Sequence, residues 1–180
     1  IVNNTFYYGN DNMMLEDSDY NIVEGNTYTK ARHTLFVIAC GNYNIVRKNT
    51  FHNDLRKAIE NFDCEGVIDC PGPECQVRKL NATKHNIFED NSIIYTKDEV
   101  DDFVSNGMQF AGQDGIVRRN VFYDNLGGGF HIQVYSDEAM FNTHHRAYHN
   151  TFYNNSCYAI EDSAGLSAVD YSDNIIKNNL

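Results

Sequence analysis

At 180 residues and 20.6 kDa, with 42% hydrophobic content, the chain is long enough for one domain with a buried core. A formal net charge of −11 argues against nucleic acid as a partner, because phosphate binding needs a basic footprint. No apolar run approaches the ~18 residues of a membrane-spanning helix, so no membrane insertion is expected.

The elements repeat. VNNTF at 2–6 comes first, then YNIVEGNTY at 20–28 and YNIVRKNTF at 43–51. The last two match at seven of nine positions, counting Tyr28 against Phe51, at a spacing of 23 residues. The frame returns as KHNIF (84–88), VRRNVF (117–122), YHNTF (148–152) and IIKNN (175–179). Asparagine therefore recurs at Asn4, Asn26, Asn49, Asn86, Asn120, Asn150 and Asn179. An aromatic follows two residues later at Phe6, Tyr28, Phe51, Phe88, Phe122 and Phe152.

A minimum period near 22 residues suits one coil that buries its short strands against the coils on either side. Equivalent side chains then stack about 4.8 Å apart. An inward Asn at a sharp turn can bond to the backbone and to its counterparts, and it tolerates a left-handed backbone. A leucine-rich repeat is rejected, because the fifth residue before the Asn is never Leu. The expected fold is all-β: one right-handed parallel β-helix domain over 1–180, a solenoid of about seven coils.

Longer intervals predict loop insertions at about 56–79, 95–107, 136–145 and 161–173, with DLRKAIENF (54–62) as a short helical turn. The first insertion holds Cys64, Cys70 and Cys75, for which a local disulfide is expected. Cys40 and Cys157, in apolar runs, are expected to be buried thiols. The start at Ile1, in mid-repeat, suggests a processed or excised piece.

The frame N-I-V-R-x-N-x-F, followed by x-D/N-N and a glycine-rich strand, resembles the repeat of pectate-lyase-like and periplasmic copper-chaperone-type β-helix proteins. The resemblance covers essentially the whole chain. It implies a secreted, cell-surface or periplasmic protein and, if it is an enzyme, a polysaccharide lyase or glycoside hydrolase. In such lyases, basic side chains or calcium neutralise a uronate carboxylate while a Lys, Arg, His or Tyr removes the C5 proton. The superfamily also contains adhesins and tailspikes, so fold does not fix activity.

With the coils aligned on these asparagines, a basic stripe emerges: Arg47-Lys48, Lys84-His85, Arg118-Arg119, Tyr148-His149 and Lys177-Asn178. It predicts an outward column that binds an acidic polysaccharide through Arg47, Lys48, Lys84, Arg118, Arg119 and Lys177. Arg118, Lys84, His85 and His149 are the candidates for proton transfer. Lys30 and Arg32 lie outside the stripe and are expected to contribute little. The pairs Asp90-Asn91 and Asp124-Asn125 read as turn chemistry, with calcium held between Asp90 and Asp124 as a further possibility.

The alternative is a non-catalytic structural, adhesive or filament-forming solenoid that self-associates through open coil ends.

Overall fold

The computed structural model describes residues 1–53, 56–62, 83–96, 106–133, 142–156, 158–163 and 173–180. Its strands pair in parallel, and no helix occurs among the described residues. One sheet stacks β2 (Ile22–Glu24), β4 (Ile45–Arg47), β7 (Ile87–Glu89), β11 (Ile116–Arg118), β15 (Arg146–Tyr148) and β18 (Ile175–Lys177). A second sheet bends over two faces. Its first face has β5 (Thr50–His52), β8 (Ser92–Ile94), β12 (Val121–Tyr123) and β16 (Thr151–Tyr153). Its second face has β6 (Lys57–Phe62), β9 (Asn106–Phe110), β13 (Gly128–Gln133) and β17 (Ile160–Ser163). The long strands β1 (Thr5–Glu16) and β3 (Thr27–Ala39) run round the corner and join the faces: β3 pairs with β5 along its first half and with β6 along its second. A short sheet joins β10 (Gly112–Gln113) to β14 (Asn142–Thr143).

The chain turns by a repeated device, a left-handed residue followed by an inward one. Before β5 and its equivalents stand Asn3, Lys48, Asp90, Arg119, His149 and Asn178, all with φ of 53–57°. Holding an L-residue there costs roughly 1–2 kcal/mol. Ladder hydrogen bonds offset that cost. The Asn49 backbone N–H and Nδ2 both donate to Asn91 Oδ1 (3.0 and 3.1 Å), and Nδ2 also reaches the Val23 carbonyl at 2.9 Å. The ladder runs Asn4, Asn26, Asn49, Asn91, Asn120, Asn150 and Asn179.

One expected rung is thus corrected. Asn86 is not in this ladder; it belongs to a second one with Asn21 and Asn44, whose later slots hold Gly115, His145 and Asn174. The register in that coil is five residues from the expected one, because Asn86 and Asn91 each precede an apolar residue by two. Cross-strand pairing chooses Asn91: Val46, Phe88 and Val117 lie in one row, and Phe51, Ile93 and Phe122 in the next. The aromatic stack is therefore interrupted. Phe6, Tyr28 and Phe51 stack at 4.8 Å steps, Ile93 intervenes, and Phe122 stacks on Phe152 at 4.8 Å. Phe88 packs edge-on against Phe110 instead.

Two further expectations change. Lys57–Phe62, expected within a helical turn, is strand β6, whose Ile59 pairs with Phe36 and Met108. Cys40, expected as a thiol, is disulfide-bonded. Cys64, Cys70, Cys75 and Cys157 lie outside the described residues, as do the greater parts of the four expected insertions.

His145 fills a ladder slot that holds Asn in other coils. The Gly115 N–H donates to its Nδ1 at 3.1 Å, and its Nε2 lies 2.5 Å from Asn142 Oδ1, so the ring is neutral with the proton on Nε2. Burial pushes its pKa down from 6.5 to about 3. Below pH 6.5 the unfolded chain takes up a proton that the folded chain refuses until about pH 3. Stability should therefore fall on acidification through that window, by about 1.4 kcal/mol per pH unit at most from this group. Unfolding free energies measured against pH should lose this component in His145→Asn.

Candidate functional site

The expected basic column is a ladder of alternating charge. Equivalent positions across the first sheet are Glu24, Arg47, Glu89, Arg118, Tyr148 and Lys177. Arg47 bonds to Glu24 at 2.8 Å, and Lys48 takes the other Glu24 oxygen at 2.9 Å. Arg118 meets Glu89 at 2.6 Å and also donates to the Tyr148 hydroxyl at 3.1 Å. Arg119 grips both Asp90 oxygens (2.8 and 2.9 Å) and reaches Glu89 at 3.0 Å. Lys48 and Arg47 hold the Glu24 carboxyl below its usual range, and Arg119 does the same to Asp90. Glu89 is buried, and Glu24, Arg47 and Arg118 are half-buried. The pairs engage the guanidinium groups of Arg118 and Arg119, while the buried Arg47 Nε has no hydrogen-bond partner among the described residues.

The corrected register displaces the other candidates. Lys84 and His85 stand at the corner before β7, where His85 stacks on Tyr43 at 4.7 Å and lies 3.9 Å from Asp114. They do not join Arg47 and Arg118. His149 occupies the exposed left-handed position beside Tyr148, and Lys177 is exposed on β18. Asp90 and Asp124 stand at different corners, the first clasped by Arg119 and the second bonded by Asn154 Nδ2 at 2.6 Å. The two carboxylates therefore do not line one corner. No group of three His, Cys, Asp or Glu suited to a metal occurs among the described residues.

Two features escaped sequence reasoning. The first is a polar row on the outer side of the second sheet's second face. Glu60, 1% exposed, accepts from Thr34 Oγ1 and Lys57 Nζ, both at 2.7 Å, and Lys57 reaches Gln109 Oε1 at 3.1 Å. His33 Nδ1 lies 2.8 Å from Asp11 Oδ1, and its Nε2 lies 3.9 Å from Glu60. Further along, the Tyr158 hydroxyl donates to Asn106 Oδ1 at 2.6 Å, and Asn106 Nδ2 lies 3.0 Å from His131 Nδ1. Gly128 makes room for this: a Cβ there would meet the Tyr158 ring at 2.4 Å. Buried polar groups tied this closely either fix the sheet or perform chemistry.

The second feature is the corner where β1 and β3 turn. Tyr7 and Tyr8 are 66% and 56% exposed. Lys30 Nζ sits 5.9 Å from the Tyr7 ring, and the Arg32 guanidinium sits 5.7 Å from the Tyr8 ring. Arg32 also donates to the Tyr8 hydroxyl at 3.1 Å. Among the described residues, neither cation has a carboxylate partner within ion-pair distance. The β1–β3 register brings them together: Tyr7 pairs with Thr29, and Gly9 with Ala31. Exposed tyrosines continue along this side, with Tyr95 against His52 and Tyr123 stacked on Tyr153 at 5.6 Å. No local motif announces the corner, since its residues lie over 20 positions apart.

No curated protein and no solved structure matches the chain significantly. A family model described as right handed beta helix region matches residues 1–180. Parallel strands, stacked asparagine corners and this full-length match agree: the chain belongs to the right-handed β-helix family.

Proposed function

We propose that this chain is an exported β-helix protein that binds an acidic polysaccharide at the Tyr7–Tyr8–Lys30–Arg32 corner. The observation that carries the reading is the pairing of two cations with exposed tyrosine rings instead of carboxylates. Tyrosine faces suit the apolar faces of sugar rings, and Arg and Lys suit carboxylate or sulfate. The stacked rows advance about 4.8 Å per coil, so a linear polymer can follow the aromatic side along the axis. The Cys40 disulfide supports export, because such bonds persist in oxidising compartments.

Binding of a polyuronate or a sulfated glycan should fall at least tenfold in Lys30→Ala/Arg32→Ala, a loss of about 1.4 kcal/mol. Arg47→Ala/Arg118→Ala should change it little. Salt should weaken binding, since charges at an exposed corner are screened within about 8 Å at physiological ionic strength. Calorimetric titration of the folded variants checks this. Equal losses in both double variants would replace the corner with general charge. An ultraviolet-absorbing unsaturated product in the same mixtures would add lyase activity to binding.

A second reading, a structural solenoid without catalysis, draws on the charge ladder. Arg118 and Arg119 converge on Glu89, which locks adjacent coils and leaves these arginines engaged.

A further inference from the structure

We propose that the outer surface of the second sheet's first face is a hydroxyl-lined track for a linear polysaccharide. Its acidic group sits at the Tyr7–Tyr8–Lys30–Arg32 corner and its following sugars are uncharged; this rests on the corner reading above. The track consists of two rows in cross-coil register. Thr5, Thr27, Thr50, Ser92, Val121 and Thr151 form one row, and Tyr7, Thr29, His52, Ile94, Tyr123 and Tyr153 form the other. The residue between them on each strand, such as Tyr28 or Phe51, points into the core, so alternation turns both rows outward.

Nine of these twelve side chains carry a hydroxyl, and none is Asp, Glu, Lys or Arg. The chain as a whole is 22% charged, so an outward face that takes none of this charge suits an uncharged partner. Among the described residues, no hydrogen bond within the chain occupies the Thr and Ser hydroxyls of the two rows. A hydroxyl both donates and accepts, which matches the hydroxyls of a sugar. Tyr7, Tyr123 and Tyr153 are exposed along the second row. Six strands spaced about 4.8 Å apart give a run of roughly 24 Å, and an extended chain of pyranose rings advances by a similar step per ring.

Charge stands beside the track and is unequal along it. The left-handed positions that close the first face are Tyr8, Lys30, Tyr95, Asp124 and Asn154. The cation belongs to the coil of β3, and the carboxylate lies three strands further on, next to β12. At the opposite edge, Lys48, Asp90 and Arg119 are held in the ion pairs described above. A uniformly charged polyanion is attracted at Lys30 and repelled at Asp124. A polymer with one acidic group and an uncharged continuation meets the attraction alone, which narrows the ligand class.

The probes are a linear hexasaccharide with one sulfate on its terminal sugar, the disaccharide from its sulfated end, and the same hexasaccharide without sulfate. In calorimetric titrations of the full chain, the sulfated hexasaccharide should bind roughly tenfold tighter than the disaccharide, the gain of one or two net hydrogen bonds. Thr27→Val/Thr50→Val/Thr151→Val removes hydroxyls while valine keeps the shape and suits a strand. With its unfolding midpoint checked, this variant should lose the gain and keep the disaccharide affinity. Lys30→Ala/Arg32→Ala should weaken both sulfated probes. Equal affinity of the two sulfated probes for the wild type, or an unaltered gain in the threonine variant, overturns the track. If the sulfated hexasaccharide binds no tighter than the uncharged one, the corner reading fails, and the uncharged hexasaccharide decides the track alone. Its binding must then be present in the wild type and lost in the threonine variant; any other result overturns the track. Light scattering tests a second copy as the occupant. Self-association that the valines disrupt and the hexasaccharide does not would make this face an interface between copies, and overturns the track as well.

Discussion

Replacing Phe122 by alanine should lower stability by about 3–5 kcal/mol, seen in denaturant unfolding as an earlier midpoint with an unchanged slope. Phe122 is fully buried, stacked on Phe152 at 4.8 Å and packed beside Phe130 at 6.2 Å. Backbone pairing to the coils on both sides holds β12 in place, so the walls cannot collapse into the cavity. Tyr28→Phe is the matched control. Tyr28 stacks between Phe6 and Phe51, and burial raises its pKa, yet its hydroxyl donates to Met13 Sδ at 3.2 Å. A thioether is a weak acceptor, so removing the hydroxyl should change stability by less than about 1 kcal/mol. A large loss in Tyr28→Phe, or a small one in Phe122→Ala, would refute the stacked core.

Lys57→Met should be comparably severe, at about 3–5 kcal/mol. Its ammonium lies 2.7 Å from a carboxylate whose side chain is 2% exposed. Without Lys57, Glu60 keeps the Thr34 hydroxyl but is left as a buried charge without its ammonium partner. Combining Lys57→Met with Glu60→Leu removes the charge together with its partner. The double variant should recover most of the loss, because an apolar pair of similar volume replaces a buried ion pair at little net cost. Unfolding of the two singles and the double completes a cycle that isolates the pair. Additive losses would mean that the two side chains act independently.

By itself the sequence determined the architecture. Asn–x–aromatic at intervals no shorter than 22 residues admits one solution, coils that stack like on like, and the chain is all-β with parallel strands in consequence. The reason is local: an inward Asn after a left-handed residue specifies a corner whatever its neighbours are. Where two asparagines five residues apart both satisfied the pattern, at Asn86 and Asn91, it was ambiguous. A signal was present in the constant five-residue step of Asn21–Asn26, Asn44–Asn49 and Asn174–Asn179, which Asn86–Asn91 continues. That step carries Glu89, and not Lys84, into line with Arg47 and Arg118.

Only the tertiary structure decided the charges and the candidate site. Electrostatic partners in a solenoid lie one coil away, which here means 23 residues from Arg47 to Glu24 and 29 from Arg118 to Glu89. Insertions of variable length separate such partners, so one slip of register exchanges a cation for a carboxylate throughout a column. The Tyr7–Arg32 corner and the Asp11–His33–Glu60 row depend on the same cross-coil pairing, with an irregularity between Gly9 and Asp11 setting their offset. Residue types name the coil from within. Their meeting across coils is fixed by the backbone ladder, which pairs strands according to the whole stack.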